Sequence, residues 1–151
     1  MIKNINGKKD YIVPGDKEET ITYCVDNFVA LYKKAVEKKG FFAVALSGGS
    51  TPKAIIQKLA TTPYTKLIDW TKIYVFWSDE RSVLPKDPDS NYKMALDSGL
   101  NDLIIPNNTF RMKAEENIEE NFRMVASFAA KVLDLLPNFW PVDGNINNHY
   151  V

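Results

Sequence analysis

The sequence contains a single cysteine, Cys24, which excludes a disulfide within the chain. It also has no surplus of either charge, since 19 lysine and arginine residues balance 19 aspartate and glutamate residues. A neutral chain offers no overall field to nucleic acid or to an anionic membrane, and we expect neither as a partner. Any anion that the protein binds must therefore be held by local groups.

Long apolar segments are missing as well. The longest apolar run, residues 41–46, is far shorter than the roughly 20 residues that a membrane-spanning helix needs. Residues 1–10 lack the apolar stretch of a secretory signal. We expect Cys24 to be a buried thiol on the apolar face of a helix, and a reducing cytoplasm is its natural compartment.

The apolar residues that are present, 45% of the chain, indicate a globular domain with several helices. Asp16 followed by Glu19 predicts a helix that starts with a capping box and ends at Gly40. Pro52 suits the first turn of a second helix with Ser50 or Thr51 as its N-cap. Two further helices are predicted, a short one that starts at Asp89 or Ser90 and a long one from Glu115 to Leu136.

Strands are predicted between these helices. Residues 41–46 and 73–77 read as strands covered on both faces, and residues 11–13 and 110–112 read as shorter ones. Alternating strands and helices predict an α/β fold with a mostly parallel sheet and helices on both faces, a Rossmann-like, doubly wound arrangement. Ligands bind such sheets beyond the carboxyl ends of the strands, where the loops 47–52 and 78–91 lie.

The first of these loops has the composition of a phosphate site. We expect Gly48 and Gly49 to take positive φ angles and to let the backbone approach an anion closely. The amides of the loop can then point into one concavity, and the following helix adds the positive end of its dipole. The candidate binding residues are Ser47, Gly48, Gly49, Ser50 and Thr51. The alternative is a plain tight turn.

The second loop begins with Asp79, Glu80 and Arg81 directly after a strand. Arg81 is a candidate for a bidentate contact with a phosphate or a carboxylate. Asp79 is a candidate for holding a sugar hydroxyl or orienting another group, and Asn91 is a weaker binding candidate. The alternative is that these residues only return the chain to solvent and start a helix.

Three motifs in this order and spacing resemble the 6-phosphogluconolactonases. They are Ser47-Gly48-Gly49-Ser50-Thr51-Pro52, Trp77-Ser78-Asp79-Glu80-Arg81 and Asp87-Pro88-Asp89-Ser90-Asn91-Tyr92. The resemblance covers roughly residues 10–139. It implies hydrolysis of 6-phospho-D-glucono-1,5-lactone, a sugar phosphate, to 6-phosphogluconate, with no metal and no organic cofactor.

By the same resemblance, the Ser47–Thr51 loop and Arg81 embrace the substrate and its phosphate, and Asp79 positions the lactone or its catalytic partner. The related glucosamine-6-phosphate deaminases share the Ser-Gly-Gly loop but resemble Asp-Glu-Tyr where this chain has Asp79-Glu80-Arg81. Arg81 and the segment 87–91 therefore favour the lactonase over the deaminase.

The resemblance stops after residue 139. Family members continue with a strand and a Gly-x-Gly-x-Asp-Gly-His loop whose histidine is the implied general base. Here Asn145 follows Asp143-Gly144, and the sole histidine, His149, is expected to be a solvated residue of the tail. We expect residues 1–139 to be the N-terminal part of one truncated domain and residues 140–151 to be a divergent tail from a truncated or shifted reading frame. Downstream DNA without lactonase-like sequence in any frame would contradict a frameshift.

Three functions follow as alternatives: a lactonase by family, a sugar-phosphate-binding remnant without turnover, and an inactive fragment. A deaminase-like enzyme is the alternative within the superfamily. A parallel sheet cut after three strands leaves an open edge, through which we expect self-association.

Overall fold

The structure is a computed structural model that describes residues 2–5 and 9–116, with side chains from Ile12 onward. Its strands are β1 (Ile2–Ile5), β2 (Lys9–Ile12), β3 (Phe42–Leu46), β4 (Ile73–Trp77) and β5 (Thr109–Phe110). Its α-helices are α1 (Lys17–Lys39), α2 (Ser50–Leu59), α3 (Tyr64–Leu67) and α4 (Asn91–Ala95). Short helical turns lie at Trp70–Lys72, Leu96–Leu100 and Pro106–Asn108.

Strands β3, β4 and β5 form a parallel sheet in that order. Helices connect the strands, which confirms the predicted α/β fold with a parallel sheet. Strand β5 ends at Phe110 and so lies earlier than the predicted residues 110–112. Strands β1 and β2 form a separate antiparallel hairpin in which Ile5 is opposite Lys9. The sequence predicts only the second strand of this hairpin, at residues 11–13.

Helix α1 has both of its predicted ends. Asp16 Oδ1 accepts a hydrogen bond from the Glu19 amide at 2.9 Å, and Glu19 Oε2 accepts one from the Asp16 amide at 2.9 Å. This reciprocal pair satisfies two donors of the first turn that have no partner within the helix. Gly40 ends the helix at φ 82°, a left-handed conformation that glycine adopts without strain.

The core lies on one face of the parallel sheet. The alternate residues of β4, which share this face, are 1–2% exposed, and helices α1 and α2 pack against them. Burying each aliphatic side chain of this kind contributes about 1.5–3 kcal/mol. The central members are Ile21, Val25, Val29 and Tyr32 of α1, Ile56 and Leu59 of α2, and Ile73, Val75 and Trp77 of β4.

The opposite face of the sheet carries an aromatic cluster. The rings of Phe76 and Phe110 stack with centroids 5.1 Å apart, and Tyr74 meets Phe41 edge-on at 5.5 Å. On β3 the small side chain of Ala45 is exposed, so the prediction that this strand is covered on both faces is wrong there. The buried residues of the described helices cluster on the other face, and the long helix predicted from Glu115 lies almost wholly in residues 117–151, beyond the described part.

Cys24 is partly exposed, so the prediction of a buried thiol is wrong. The buried stripe of α1 is narrower than the apolar pattern of the sequence, and Cys24 lies beside it. Leu31, also counted in that pattern, is 50% exposed for the same reason. None of the helices in residues 9–116 is long and apolar enough to cross a bilayer. The predicted boundary at residue 139 falls outside the described residues and stays a prediction.

We expect Asp16→Ala to lower the free energy of unfolding by about 1 kcal/mol, because the Glu19 amide loses its acceptor. Urea denaturation followed by circular dichroism measures the change. The matched control is Asn27→Ala, an exposed position inside the same helix, which should stay within about 0.5 kcal/mol of the parent. Equal losses in the two variants would contradict the capping role.

Candidate functional site

The two candidate loops meet where strands β3 and β4 end. Leu46 and Trp77 are opposite each other in the parallel register, so the residues that follow them emerge side by side. The Ser78 amide donates to the carbonyl of Leu46 at 2.9 Å, and the hydroxyls of Ser47 and Ser78 lie 2.8 Å apart. The predicted meeting of loops 47–52 and 78–91 at this edge of the sheet is therefore confirmed.

The first loop leads directly into helix α2. Gly49 is the N-cap at φ 103°, the helix begins at Ser50, and no side chain of the described residues caps it. The predicted N-cap, Ser50 or Thr51, is wrong because the positive φ of Gly49 starts the helix one residue earlier. The amides of Ser50 and Thr51 thus belong to the first turn, where backbone donors have no partner within the helix. Such an end is suited to an anion.

Gly48 is needed for a different reason from Gly49. Its φ is not positive, so the prediction that both glycines adopt that conformation is wrong for Gly48. A Cβ at position 48 would lie 2.0 Å from Asn91 Oδ1, closer than any real contact. Only glycine leaves room for the Asn91 side chain at this point. Direct packing against the second loop therefore fixes the backbone of the first.

Asn91 joins the two loops from a buried position. Its side chain donates through Nδ2 to Asp79 Oδ2 at 3.0 Å and to the Asp79 carbonyl at 3.2 Å. Asp79 Oδ1 in turn accepts from the Ser78 hydroxyl at 3.2 Å. Asn91 is only 6% exposed, and its predicted role as a ligand-binding residue stays a prediction.

Glu80 is the residue of this site that the sequence reading left without a role. Its Oε1 accepts from the amides of Arg81 at 2.8 Å and Asn91 at 2.7 Å. Its Oε2 accepts from the amide of Tyr92 at 2.8 Å and the hydroxyl of Ser90 at 3.1 Å. The carboxylate therefore occupies the N-terminal end of helix α4, where a negative charge is favourable. Local spacing carries no signal for this role, because the partners at the helix start lie 10 to 12 positions further along the chain.

Arg81 extends from the same loop into solvent. Its side chain is exposed and makes no ion pair with the residues that the structure describes. It lies three residues beyond Ser78, whose hydroxyl contacts Ser47. Its predicted contact with a ligand stays a prediction.

Arg111, directly after strand β5, is engaged by contrast. Its guanidinium donates to both carboxylate oxygens of Glu115, at 3.0 and 2.6 Å, and lies 5.9 Å from the centre of the Tyr92 ring. The hydrogen bonds with Glu115 raise the pKa of Arg111, and those with Arg111 hold the pKa of Glu115 below its ordinary value of 4.5. Tyr92 also meets Trp77 edge-on at 5.1 Å. Through these contacts Arg111, the residue after β5, and Trp77 of β4 both meet Tyr92 in the first turn of helix α4.

Within residues 2–5 and 9–116, no group of three or more histidine, cysteine, aspartate or glutamate side chains is arranged to hold a metal ion. The sole histidine, His149, lies outside this part of the chain. The predicted ligand contacts stay predictions for the first loop, Ser47, Gly48, Gly49, Ser50 and Thr51, and for Asp79 and Arg81 of the second.

Comparison with known proteins gives a family match. A family model described as glucosamine-6-phosphate isomerases/6-phosphogluconolactonase matches residues 15–143. The chain is 47% identical over 93 residues to a protein of Oryza sativa subsp. indica named probable 6-phosphogluconolactonase 3, chloroplastic. It is 39% identical over 99 residues to the 6-phosphogluconolactonase of Nostoc sp..

Each alignment covers a larger fraction of this chain than of the relative. The rice alignment covers 60% of this chain and 28% of the relative, and the Nostoc alignment covers 66% and 40%. Among solved structures, that of a devB protein is similar with a TM-score of 0.68 and 30% identity. That similarity covers 80% of this chain and 49% of the other. The chain thus spans about half or less of the length of these relatives.

The contact between Gly48 and Asn91 is testable by a double-mutant cycle. Gly48→Ala should lower the free energy of unfolding by about 1–3 kcal/mol, because the new Cβ collides with the Asn91 amide. Adding Asn91→Ala should relieve the collision and give a favourable coupling of at least about 1 kcal/mol. Chemical denaturation of the two single variants and the double variant measures this coupling.

Asn108→Ala supplies the control for this cycle, because Asn108 bonds to the Thr71 carbonyl away from the loops. Its effect should add to that of Gly48→Ala. If the effects of Gly48→Ala and Asn91→Ala on the free energy of unfolding are also additive, the contact between Gly48 and Asn91 is contradicted.

Proposed function

The chain belongs to the glucosamine-6-phosphate isomerase/6-phosphogluconolactonase family, and we propose that it holds 6-phospho-D-glucono-1,5-lactone as a 6-phosphogluconolactonase does. The observation that carries the proposal is the N-terminus of helix α2. It is uncapped by any described side chain and opens beside the end of strand β4. The names of the rice and Nostoc relatives support the same activity.

The proposed phosphate site combines several donors. The amides of Ser50 and Thr51 and the helix dipole attract an anion, and the exposed hydroxyl of Ser47 adds a further donor when it turns from Ser78 to the ligand. Arg81 is suited to a bidentate, charge-assisted contact with phosphate oxygens. A chain with no net charge can bind a phosphate ester in this way because the positive potential is local.

The proposed reaction is hydrolysis of the lactone. Water attacks the C1 carbonyl and a base accepts one proton of that water. The bond between C1 and the ring oxygen then breaks, and that oxygen takes up the proton from the base to become the C5 hydroxyl of the free acid. Asp79 is held between Ser78 and Asn91, and we assign it the positioning of the lactone or of a catalytic partner. The described residues include no histidine to act as the base, so for this part of the protein the proposal is binding and positioning.

Two alternatives remain. The first is a sugar-phosphate-binding remnant without turnover, which shares the same binding groups and differs only in the absence of hydrolysis. The second is a glucosamine-6-phosphate deaminase-like enzyme. Arg81 favours the lactonase over the deaminase, because the resemblance to deaminases implies tyrosine at this position.

We propose that the protein is located in the cytoplasm. We also propose that its partner is a small sugar phosphate and that neither nucleic acid nor a membrane is a partner. The lone cysteine and the balanced charge support this proposal. The name of the rice relative includes the chloroplast, so a plastid is the competing compartment. Fractionation of source cells that finds the protein only in an organelle would contradict the proposal.

We expect 6-phosphogluconate to raise the midpoint of thermal unfolding, because a ligand at about 100 times its dissociation constant stabilises the native state by about 2.7 kcal/mol. Arg81→Ala should remove most of this protection. Lys86→Ala, which removes another exposed cation of the same loop, should preserve it. Differential scanning fluorimetry over a ligand series measures the shift.

Equal protection of the parent and Arg81→Ala would contradict the assignment of Arg81. Stronger protection by glucosamine 6-phosphate than by 6-phosphogluconate would favour the deaminase. Acid release from the lactone, measured against a control without protein, separates an enzyme from a binding remnant.

We also propose that the chain self-associates through strand β3, which lies at the edge of the described sheet and pairs there only with β4. Ala45→Lys places a charge on the exposed part of this strand and should shift sedimentation toward the monomer. Thr61→Lys, at an exposed position outside the sheet, should leave it unchanged. A parent chain that sediments as a monomer at all concentrations would contradict the proposal.

A further inference from the structure

The Glu80 carboxylate is the most heavily used acceptor among the described groups of the site. Each of its oxygens receives two hydrogen bonds, all from the segment of residues 81–92. The bonds to Asn91 and Tyr92 cross 11 and 12 positions of the chain. One side chain therefore closes the whole second loop onto the end of strand β4.

The contacts of Glu80 continue to the first loop. Its Oε1 holds the amide of Asn91, and the side chain of the same Asn91 fills the space that a Cβ at Gly48 would occupy. That side chain is also bound to Asp79. The position of Glu80 is thus transmitted through Asn91 to the backbone that precedes helix α2.

We propose that Glu80 is a positioning residue for the anion-binding loop, acting through Asn91 on Gly48. The inference rests on the proposed function, because it assigns Glu80 a part in ligand affinity as well as in folding. In this role Glu80 does not contact the ligand itself. It determines the position of the Gly48 backbone and of the backbone amides that follow Gly48.

The chemistry requires a carboxylate at this position. All four partners act as donors, three of them backbone amides that cannot act otherwise. In Glu80→Gln an NH2 group replaces one acceptor. The side-chain amide can turn this group toward Ser90, whose hydroxyl can also accept, but the Tyr92 amide then loses its partner. Helix α4 would be released at its first turn, where Asn91 lies.

The test is a cycle of binding measurements with 6-phosphogluconate by isothermal titration calorimetry. Glu80→Gln should weaken binding about tenfold when Asn91 is present, and less than about twofold in the Asn91→Ala background. Asp87→Asn is the matched control, because it changes a carboxylate of the same loop that bonds only locally, to the Asp89 amide. It should leave the affinity unchanged.

The same fold-loss for Glu80→Gln in both backgrounds would overturn the proposal, since Glu80 would then act without Asn91. Should Glu80→Gln fail to fold, Glu80→Asp keeps the acceptors on a shorter side chain. A weaker effect of Glu80→Asp without Asn91 than with it supports the proposal, and equal effects overturn it.

A second measurement does not depend on any ligand. In nitrogen-15 spectra of the free protein, Glu80→Gln should shift the Asn91 side-chain amide and the Gly48 backbone amide, while Asp87→Asn should shift neither. Unchanged signals in folded Glu80→Gln would overturn the positioning role. If these signals shift but the parent chain binds no sugar phosphate, the proposed function fails and the link from Glu80 to Gly48 stands.

Discussion

Strands β3 and β4 pair in parallel with Leu46 opposite Trp77, and the contacts between the two loops follow from that register. A shift by one residue would turn the core face of a strand toward the opposite side of the sheet. Burial of Ile73, Val75 and Trp77 on one face therefore fixes the register. Once it is fixed, Ser47 and Ser78 must emerge as neighbours, and the helix that follows Ser47 must begin beside the loop that follows Ser78.

Polar contacts join the two loops beyond the ends of these buried strands. Glu80 closes the second loop, Asn91 reaches from it to Asp79, and Gly48 gives Asn91 the space it fills. Partly buried hydrogen bonds of this kind contribute modestly to stability when made, and removing one partner costs more than the bond contributes. The two groups proposed to contact the ligand, the hydroxyl of Ser47 and the guanidinium of Arg81, belong to exposed residues of these loops.

Local patterns in the sequence predicted much of the fold. The capping box at Asp16, the stop at Gly40 and the strand at residues 73–77 depend on neighbours in the chain, and the structure has all three. The first strand of the β1–β2 hairpin was not predicted. The sequence does contain the dipeptide Asn6-Gly7, which is common between the two strands of a hairpin. The role of Glu80 and the reason for Gly48 depend on contacts across 10 to 43 positions, which local spacing does not encode.

We propose that the Ser47–Thr51 loop binds the phosphate of a sugar acid, in a chain that spans about half or less of the length of the relatives described above. The most direct measurement is a titration of nitrogen-15-labelled protein with 6-phosphogluconate. Binding at this loop should give saturable shifts of the Gly48, Gly49, Ser50 and Thr51 amides. Saturable shifts confined to residues outside the two loops, or no saturable shift at all, would contradict it.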